Sequence, residues 1–298
     1  MRYADKLAVD ELDLGVERHT ITAVLGPNGA GKTTTLETCE GYRTPQQGQV
    51  RVLDLDPVRQ RRELLPRIGV MLQGGGAWSG VHAVEMLQHI AKLHAHPLDV
   101  GLLSERLGLA DCGRTPYRRL SGGQQQRLGL AMAVVGRPEI VFVDEPTAGL
   151  DPQARRTTWE LLSQLREDGV TVVLTTHYLD EAERLADAIH IIDHGRLIAS
   201  GTPLELTRGG PAATIRLVVT KPFPPGAPAS LRSALGEATQ VTQLGELSLL
   251  VTGPADSSTL ATVSRWCEDN GVLPEALTLG QRSLEDVFLE LTGRELNP

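Results

Sequence analysis

The stretch that decides the fold is Gly26-Pro27-Asn28-Gly29-Ala30-Gly31-Lys32-Thr33, with Thr34 directly after it. It matches the pattern G-x-x-x-x-G-K-[ST], which is typical of phosphate-binding loops. It follows an apolar run that ends at Leu25 and precedes a helical pattern that begins near Lys32. Glycines let a backbone wrap closely round phosphates, and the amides at a helix start attract anions. The stretch therefore predicts a nucleotide phosphate site at the end of a β-strand.

Three residues of this loop carry side-chain chemistry. Lys32 is expected to reach the β- and γ-phosphates, and the hydroxyl of Thr33 is expected to bind Mg²⁺. Thr34 is a second hydroxyl donor. The alternative is a plain glycine-rich turn, but even with 31 glycines in the chain a chance match has a probability of only about 2%. We therefore expect a nucleotide such as ATP together with Mg²⁺.

Two adjacent acidic residues, Asp144 and Glu145, close the apolar run Ile140-Val141-Phe142-Val143. A buried parallel strand has this pattern, and ligands of open α/β sheets bind beyond the carboxyl ends of the strands. We expect Asp144 to hold the Mg²⁺ shell and Glu145 to polarise the attacking water. The alternative is a solvated acidic pair. His177 ends a further apolar run, and taken alone it fits a polar core or loop residue equally well.

A second anion site is predicted at Leu120-Ser121-Gly122-Gly123-Gln124, which opens a helical pattern. Serine is favoured at the N-cap of a helix, and the amides of the first turn then point at an anion beyond it. A serine-capped Gly-Gly helix start is common. This string of five residues, however, is expected by chance only about once in thousands of such chains.

Together these motifs resemble those of the ATP-binding cassette (ABC) ATPases. The elements that stand in the order and at the separations typical of that family are the phosphate loop, Gln73, the LSGGQ string, the Asp144-Glu145 pair, the AGLD string ending at Asp151, and His177. The resemblance extends from Tyr3 to about Leu206. It implies a P-loop ABC cassette that hydrolyses ATP with Mg²⁺ and serves a separate transmembrane permease.

The resemblance also implies a second cassette subunit as partner. The two copies would form a homodimer that sandwiches two ATP molecules between them. In this family the signature string of one subunit closes over the phosphate loop of another. Ser121, Gly122, Gly123 and Gln124 would then contact the γ-phosphate held by the partner subunit's Lys32, so that each anion gains donors from both sides. Dimer formation would depend on ATP.

Four further residues take their roles from the resemblance alone. Gln73 would touch Mg²⁺ and link the sheet to a helical subdomain, Asp151 would meet the partner subunit, and His177 would contact the γ-phosphate. Tyr3 looks like the aromatic residue that stacks on adenine. Since cassettes begin with a strand before that residue, and this chain starts two residues ahead of it, either the stacking is weaker or the true start lies upstream.

Strand patterns alternate with helical patterns from residue 20 to residue 205, which indicates an α/β domain with a parallel sheet. Between residues 74 and 136 only helical spacing is found, so we expect an inserted helical subdomain there. The sequence Gly209-Gly210-Pro211 indicates a linker. The pattern after it reads βαββαβ, a ferredoxin-like arrangement. The predicted domains are a nucleotide-binding domain over 1–208 and a small α+β domain over 212–298.

Composition and charge narrow the classes of protein. Hydrophobic residues make up 41% and charged residues 22%, which is ordinary for a globular protein. The net charge of -8 gives no field to attract nucleic acid, so no such partner is expected. The three cysteines lie far apart without metal-ligand spacing, which favours reduced thiols. No apolar stretch approaches the roughly 20 residues of a membrane span. These features indicate a cytoplasmic chain that does not span a membrane, and the resemblance to ABC ATPases implies a peripheral position on the cytoplasmic face of a bacterial membrane.

The direction of transport is indicated by the region after residue 210. It resembles the C-terminal extension of daunorubicin-resistance-type exporter ATPases, chiefly in Ser283-Leu284-Glu285-Asp286-Val287-Phe288-Leu289. This favours export of a drug, lipid or similar amphiphile. The alternatives are an importer ATPase and a cassette ATPase that acts on nucleic acid or ribosomes. The latter usually carries two cassettes or a long coiled coil, and the sequence shows neither.

Two weaker candidates complete the sequence analysis. His94 and His96 could be metal ligands, but no third ligand lies nearby and a solvated loop fits better. Trp78 fits either a contact with the permease or partial burial in the core.

Overall fold

The computed structural model of the chain describes residues 1–3, 6–72, 76–208, 213–236, 238–253, 256–280 and 282–292. Contacts divide the chain into two compact units, Met1–Ser200 and Gly201–Asn297. The first unit contains the phosphate loop, the acidic pair, the LSGGQ string and His177. In the ranges just given, no helix is both long enough and apolar enough to cross a bilayer.

The strands of the first unit form a short hairpin and a larger sheet. They are β1 (Arg2–Tyr3), β2 (Lys6–Leu7), β3 (Ile21–Leu25), β4 (Ile68–Met71), β5 (Ile140–Asp144), β6 (Thr171–Thr176), β7 (Ala188–Asp193) and β8 (Arg196–Gly201). The larger sheet has the order β4-β5-β6-β3-β7-β8, and its pairings from β4 to β7 are parallel. Every residue of β3, β5 and β6 is buried, as expected for parallel strands that are covered on both faces.

The register of the central strands brings the motifs to one edge of the sheet. Leu25 at the end of β3 lies beside Thr176 at the end of β6, and Asp144 at the end of β5 lies beside Thr175. The phosphate loop follows directly on β3 and His177 follows directly on β6, while Asp144 ends β5 and Glu145 comes next. The parallel sheet therefore gathers them at its carboxyl edge.

Helices connect these strands. In chain order they are α1 (Lys32–Cys39), α2 (Arg61–Leu64), α3 (Ala83–Ala91), α4 (Val100–Arg106), α5 (Gly122–Val134), α6 (Pro152–Glu167) and α7 (Leu179–Leu185). From residue 76 to β5 the described chain is built of helices, turns and loops, with a single isolated bridge between His82 and Pro116. This agrees with the expected helical subdomain.

The second unit contains a four-stranded antiparallel sheet with helices on both faces. Its elements are α8 (Pro203–Arg208), β9 (Ala213–Val219), α9 (Ala227–Leu235), β10 (Gln240–Leu244), β11 (Ser248–Gly253), α10 (Ser257–Asp269), β12 (Pro274–Gly280) and α11 (Leu284–Thr292). The sheet order is β10-β11-β9-β12, and the elements from β9 to β12 follow one another in the βαββαβ succession predicted from the sequence.

The two faces of this second sheet carry different cores. Leu217, Leu249 and Val251 pack with Leu231 of α9 and Trp266 of α10 on one face. On the other face, Leu244 and Leu250 pack against Leu289 of α11. The helix α8, which lies inside the first predicted domain, contacts α11 and belongs to the second unit.

Candidate functional site

The phosphate loop is shaped by close backbone contacts. Gly31 has a φ of 106° and is the N-cap of α1, a conformation that residues with a side chain rarely adopt. A Cβ atom at Gly31 would collide with the carbonyl of Ala8, and one at Gly26 would collide with the carbonyl of Ile192. These positions require glycine, and they place the backbone of the loop at the start of α1.

Lys32 lies under this loop and is almost fully buried. Its Nζ donates hydrogen bonds to the carbonyl oxygens of Gly26 at 2.6 Å and Pro27 at 3.4 Å. The same atom lies 3.8 Å from Oε1 of Glu145. Burial lowers the pKa of Lys32, and the charges of Glu145 and Asp144 oppose this effect. The lysine is therefore a buried cation held between the loop and the acidic pair.

Asp144 is a buried carboxylate with two hydroxyl neighbours. The hydroxyl of Thr33 donates to its Oδ2 at 3.1 Å, and the hydroxyl of Thr175 donates to its Oδ1. Thr175 also holds the next residue, because its Oγ1 and its carbonyl oxygen accept from the amide of Glu145 at 3.1 and 3.2 Å. One threonine thus contacts both acidic residues.

Glu145 has an unusual backbone and an aromatic neighbour. Its φ of 49° lies in the left-handed region, where residues other than glycine are uncommon. Such conformations persist when the surrounding structure holds them, and they cluster at functional sites. Nδ1 of His177 lies 3.2 Å from Oε1 of Glu145. Glu145 thus lies between Lys32 and His177.

The signature string starts α5 as the sequence indicated. Ser121 is the N-cap, and its Oγ accepts from the amide of Gln124 at 3.3 Å. The side chain of Gln124 returns the contact, since its Oε1 accepts from the amide of Ser121 at 2.9 Å. This reciprocal pair is a capping box, and it fixes the start of the helix that carries Gly122 and Gly123.

Asp151 plays the same part at the start of α6. Its Oδ1 accepts from the amides of Gln153 at 3.0 Å and Ala154 at 2.9 Å. Ser121 and Asp151 are both exposed. The side chains of both residues bond to backbone amides of the helix that each one starts. Lys32, Glu145 and His177 form a separate chain of contacts.

Two expected site residues lie wholly or partly outside the part of the chain that the structure describes. Gln73 lies outside the described residues. The backbone of Tyr3 pairs with Lys6 in the hairpin of β1 and β2, but its side chain also lies outside the described part. Trp78 is 60% exposed, with its ring centroid 5.1 Å from that of His89.

Sequence reasoning missed three buried polar residues near the site: Thr147, Thr175 and Glu181. Thr175 could have been found, because it interrupts the apolar run of β6 at the step before the strand ends. Glu181 could have been suspected from its place four residues after His177, on the face of α7 that also buries Leu185. Neither sequence signal predicts which residues form hydrogen bonds with Thr175 or Glu181.

Comparison with known proteins decides the family. The ABC transporter family profile matches residues 9–148. Daunorubicin resistance ATP-binding protein DrrA3 of Streptomyces coeruleorubidus is 39% identical, over 98% of this chain and 93% of the relative. The chain belongs to the ATP-binding subunits of ABC transporters. This confirms the resemblance described above, and ATP binding and hydrolysis follow from membership of the family.

Two further comparisons agree with this assignment. Nod factor export ATP-binding protein I of Ralstonia nicotianae is 34% identical over 99% of this chain and 92% of the relative. The solved dimeric structure of MJ0796, a bacterial ABC transporter cassette, is 26% identical with a TM-score of 0.58, over 65% of this chain and 90% of that one. The α/β P-loop fold of the first unit is therefore the fold of an ABC cassette.

Proposed function

We propose that this ABC ATPase subunit drives export of an amphiphilic compound through a separate membrane permease. The sequence similarity to a daunorubicin resistance protein and to a Nod factor export protein supports export. Each of these similarities covers nearly the whole of this chain, including the second unit, and nearly the whole of the relative. An importer ATPase is the second candidate. The subunit acts at the cytoplasmic face of the membrane, where the permease presents its surface.

The observation that carries the catalytic part is the contact chain from Lys32 through Glu145 to His177. It joins a cation for the β- and γ-phosphates, a carboxylate for the attacking water and a hydrogen-bond donor for the γ-phosphate. These three residues lie at the carboxyl edge of the sheet, beside the loop that receives the phosphates. Glu145 is the general base in this arrangement, and His177 orients the γ-phosphate.

Thr33 and Asp144 fit Mg²⁺. Both offer oxygen atoms, which are the ligands that Mg²⁺ prefers, and they already lie 3.1 Å apart. When bound with ATP, Mg²⁺ would neutralise charge on the phosphates. Gln73 follows the neighbouring strand β4 and would complete this side of the site. Thr34 adds a hydroxyl donor to the phosphates, and Tyr3 stacks on adenine.

The hydrolytic site is completed by a second copy of the chain. Ser121, Gly122, Gly123 and Gln124 present a capped helix start whose first-turn amides favour an anion. Their contacts within one chain leave this helix start exposed, and the similar cassette MJ0796 is known as a dimer. In the proposed homodimer, Asp151 lies at the contact between the two copies.

Replacing Glu145 by Gln tests the proposed function. The variant should still bind ATP, because Lys32 and the loop are unchanged. Hydrolysis should slow by about 10²–10⁴-fold, because the general base is lost. With saturating ATP the variant should sediment as a dimer, and without ATP as a monomer.

Two results would contradict the proposal. Near wild-type turnover would remove Glu145 from the mechanism, and a monomer at saturating ATP would remove the composite site. Glu160→Gln, an exposed carboxylate on α6, is the matched control and should hydrolyse ATP at the wild-type rate. Export is tested by reconstitution with the permease: amphiphile should leave the cytoplasmic side only when ATP is hydrolysed.

A further inference from the structure

A buried carboxyl group lies close to the site without being part of the contact chain. Glu181 in α7 is completely buried. Its Oε1 accepts a hydrogen bond from the hydroxyl of Thr147 at 3.0 Å and another from Nε1 of Trp159 at 2.9 Å. Thr147 belongs to the loop between β5 and α6, and Trp159 belongs to α6. One oxygen atom thus ties α7 to two places on the segment that carries Asp151.

The carboxyl group is held in a setting that disfavours its charged form. Burial raises the pKa of Glu181, and the hydrogen bonds from Trp159 and Thr147 act against this rise. Its Oε2 is buried, and among the described residues it has no hydrogen-bond partner. Burying a carboxyl oxygen that makes no hydrogen bond costs free energy of folding. Apolar side chains of similar size would fill the same space at lower cost.

A second contact runs between the same two segments. The ring of Tyr178 lies 4.1 Å from the ring of His177, centroid to centroid. The guanidinium of Arg155, in the first turn of α6, lies over the ring of Tyr178, 4.3 Å from its centroid. Arg155 also pairs with Asp180 at 3.5 Å. Two sets of contacts therefore hold the stretch from His177 to Glu181. Glu181 binds the loop of residues 146–151 and α6, and the residues before it contact Arg155 at the start of α6.

We propose that Glu181 is a positioning residue that couples the loop of residues 146–151 to His177. The inference rests on the proposed roles of Asp151 at the contact between copies and of His177 at the γ-phosphate. The side chain of Glu181 makes no hydrogen bond to either residue. By fixing Thr147 and Trp159 against α7, it makes the position of the loop and the position of His177 depend on each other. Closure on a partner subunit and alignment for hydrolysis then occur together.

The test uses the full-length chain and two readouts. The first is kcat and KM for hydrolysis of MgATP, and the second is the ATP-dependent dimer equilibrium measured in a Glu145→Gln background. Glu181→Leu removes both hydrogen bonds at similar volume. Glu181→Gln keeps an oxygen atom that accepts them. Glu183→Gln changes an exposed carboxylate on the same helix and is the control.

We expect Glu181→Leu to lower kcat at least tenfold and to weaken the dimer about tenfold. KM for ATP should change less than about threefold, because Glu181 does not contact the phosphate loop. Glu181→Gln should restore both readouts to within about threefold of the parent. Loss of only one readout, or equal changes in kcat and KM, would overturn the coupling, as would two unchanged readouts.

Two further comparisons keep the test decisive. If Glu181→Leu does not fold, Thr147→Val removes one of the hydrogen bonds with almost no change of shape. A fall in both of its readouts supports the coupling, and unchanged values overturn it. Failure of the proposed function has a different signature: Glu145→Gln by itself would then form no dimer with ATP.

Discussion

Thr175 places one hydroxyl group between the two acidic residues that end β5. It donates to Asp144 and accepts from the amide of Glu145, so it fixes the proposed Mg²⁺ ligand relative to the proposed general base. Thr175→Val keeps the shape and removes both contacts. Turnover should fall about tenfold while KM for ATP changes little, because alignment is lost and the phosphate loop is not touched. Steady-state kinetics measure both.

Thr175→Ser is the control for this prediction. Serine retains the hydroxyl and should keep turnover within about threefold of the wild type. The role assigned to Thr175 is wrong if the valine variant turns over ATP at the wild-type rate, or if serine is as damaging as valine.

Glu40 gives a pH-dependent prediction at the same scale. It is buried at the end of α1, and burial raises its pKa to about 7, with the charges of Asp144 and Glu37 acting in the same direction. In the unfolded chain the pKa of a glutamate is about 4.3. The folded state therefore binds this proton more tightly. Its contribution to stability is present below about pH 4 and is lost as the pH rises to about 7.

Glu40→Gln should remove this loss. Above pH 7 the variant should be more stable than the wild type by on the order of 2–3 kcal/mol, and near pH 4 the two should be equal. Urea unfolding in a Trp266→Phe background measures this, since Trp78 and Trp159 then report on the first unit. Glu105→Gln, at an exposed position, should show no such gain. Parallel stability curves for wild type and Glu40→Gln would contradict the prediction.

At the scale of the element, uninterrupted apolar runs explain why the strands of the main sheet were predictable. β5 and β6 are buried along their whole length, so their sequences carry the signal of a core strand. The edge strand β8 was not predicted. All of its positions are half-buried or exposed, and the sequence Arg196-Leu197-Ile198-Ala199-Ser200-Gly201 contains no comparable run.

The motifs located the acidic pair and the helix starts, but they could not supply the contacts between elements. Glu181 and Thr147 are 34 residues apart along the chain, and Thr175 and Asp144 are 31 apart. These pairs meet because β5 and β6 are neighbours and α6 returns beside α7. Residue patterns indicate the type of each element. They do not determine which elements become neighbours, so these partners required the structure.

The last helix of the second unit is held to its sheet by a buried charge. Asp286 in α11 accepts from Arg216 of β9 at 2.9 Å and from the amide and hydroxyl of Ser283, both at 2.9 Å. Asp286→Ala should destabilise the second unit by about 3 kcal/mol, because it leaves a partly buried arginine without its main partner. Protection of β9 amides from hydrogen exchange measures this.

Glu285→Ala is the matched control for α11. Glu285 pairs with the same arginine at 3.3 Å, but its side chain is 47% exposed. Exposed pairs contribute about 0–1 kcal/mol, so the loss of protection should be small. If the two variants lose protection equally, the buried contact does not hold the helix.

At the scale of the whole molecule, the proposed dimer makes each copy supply half of two different sites. Lys32 acts in one site and Ser121 of the same chain acts in the other, because a symmetric pair presents the same surface twice. Lys32→Ala removes the cation for the phosphates. Ser121→Glu places a carboxylate where the γ-phosphate of the other site would lie, at an exposed helix start. Each variant alone should be inactive.

Mixing the two inactive variants separates a shared site from one contained in a single chain. In a mixed dimer, the copy with Ser121→Glu keeps its phosphate loop and receives an intact signature string from the copy with Lys32→Ala. One of the two sites is then complete. Since half of the dimers in an equal mixture are mixed, turnover should recover to about a quarter of the wild-type value if the sites act independently. A mixture as inactive as its components would place the whole site within one chain, and the exposed start of α5 would then need a different explanation.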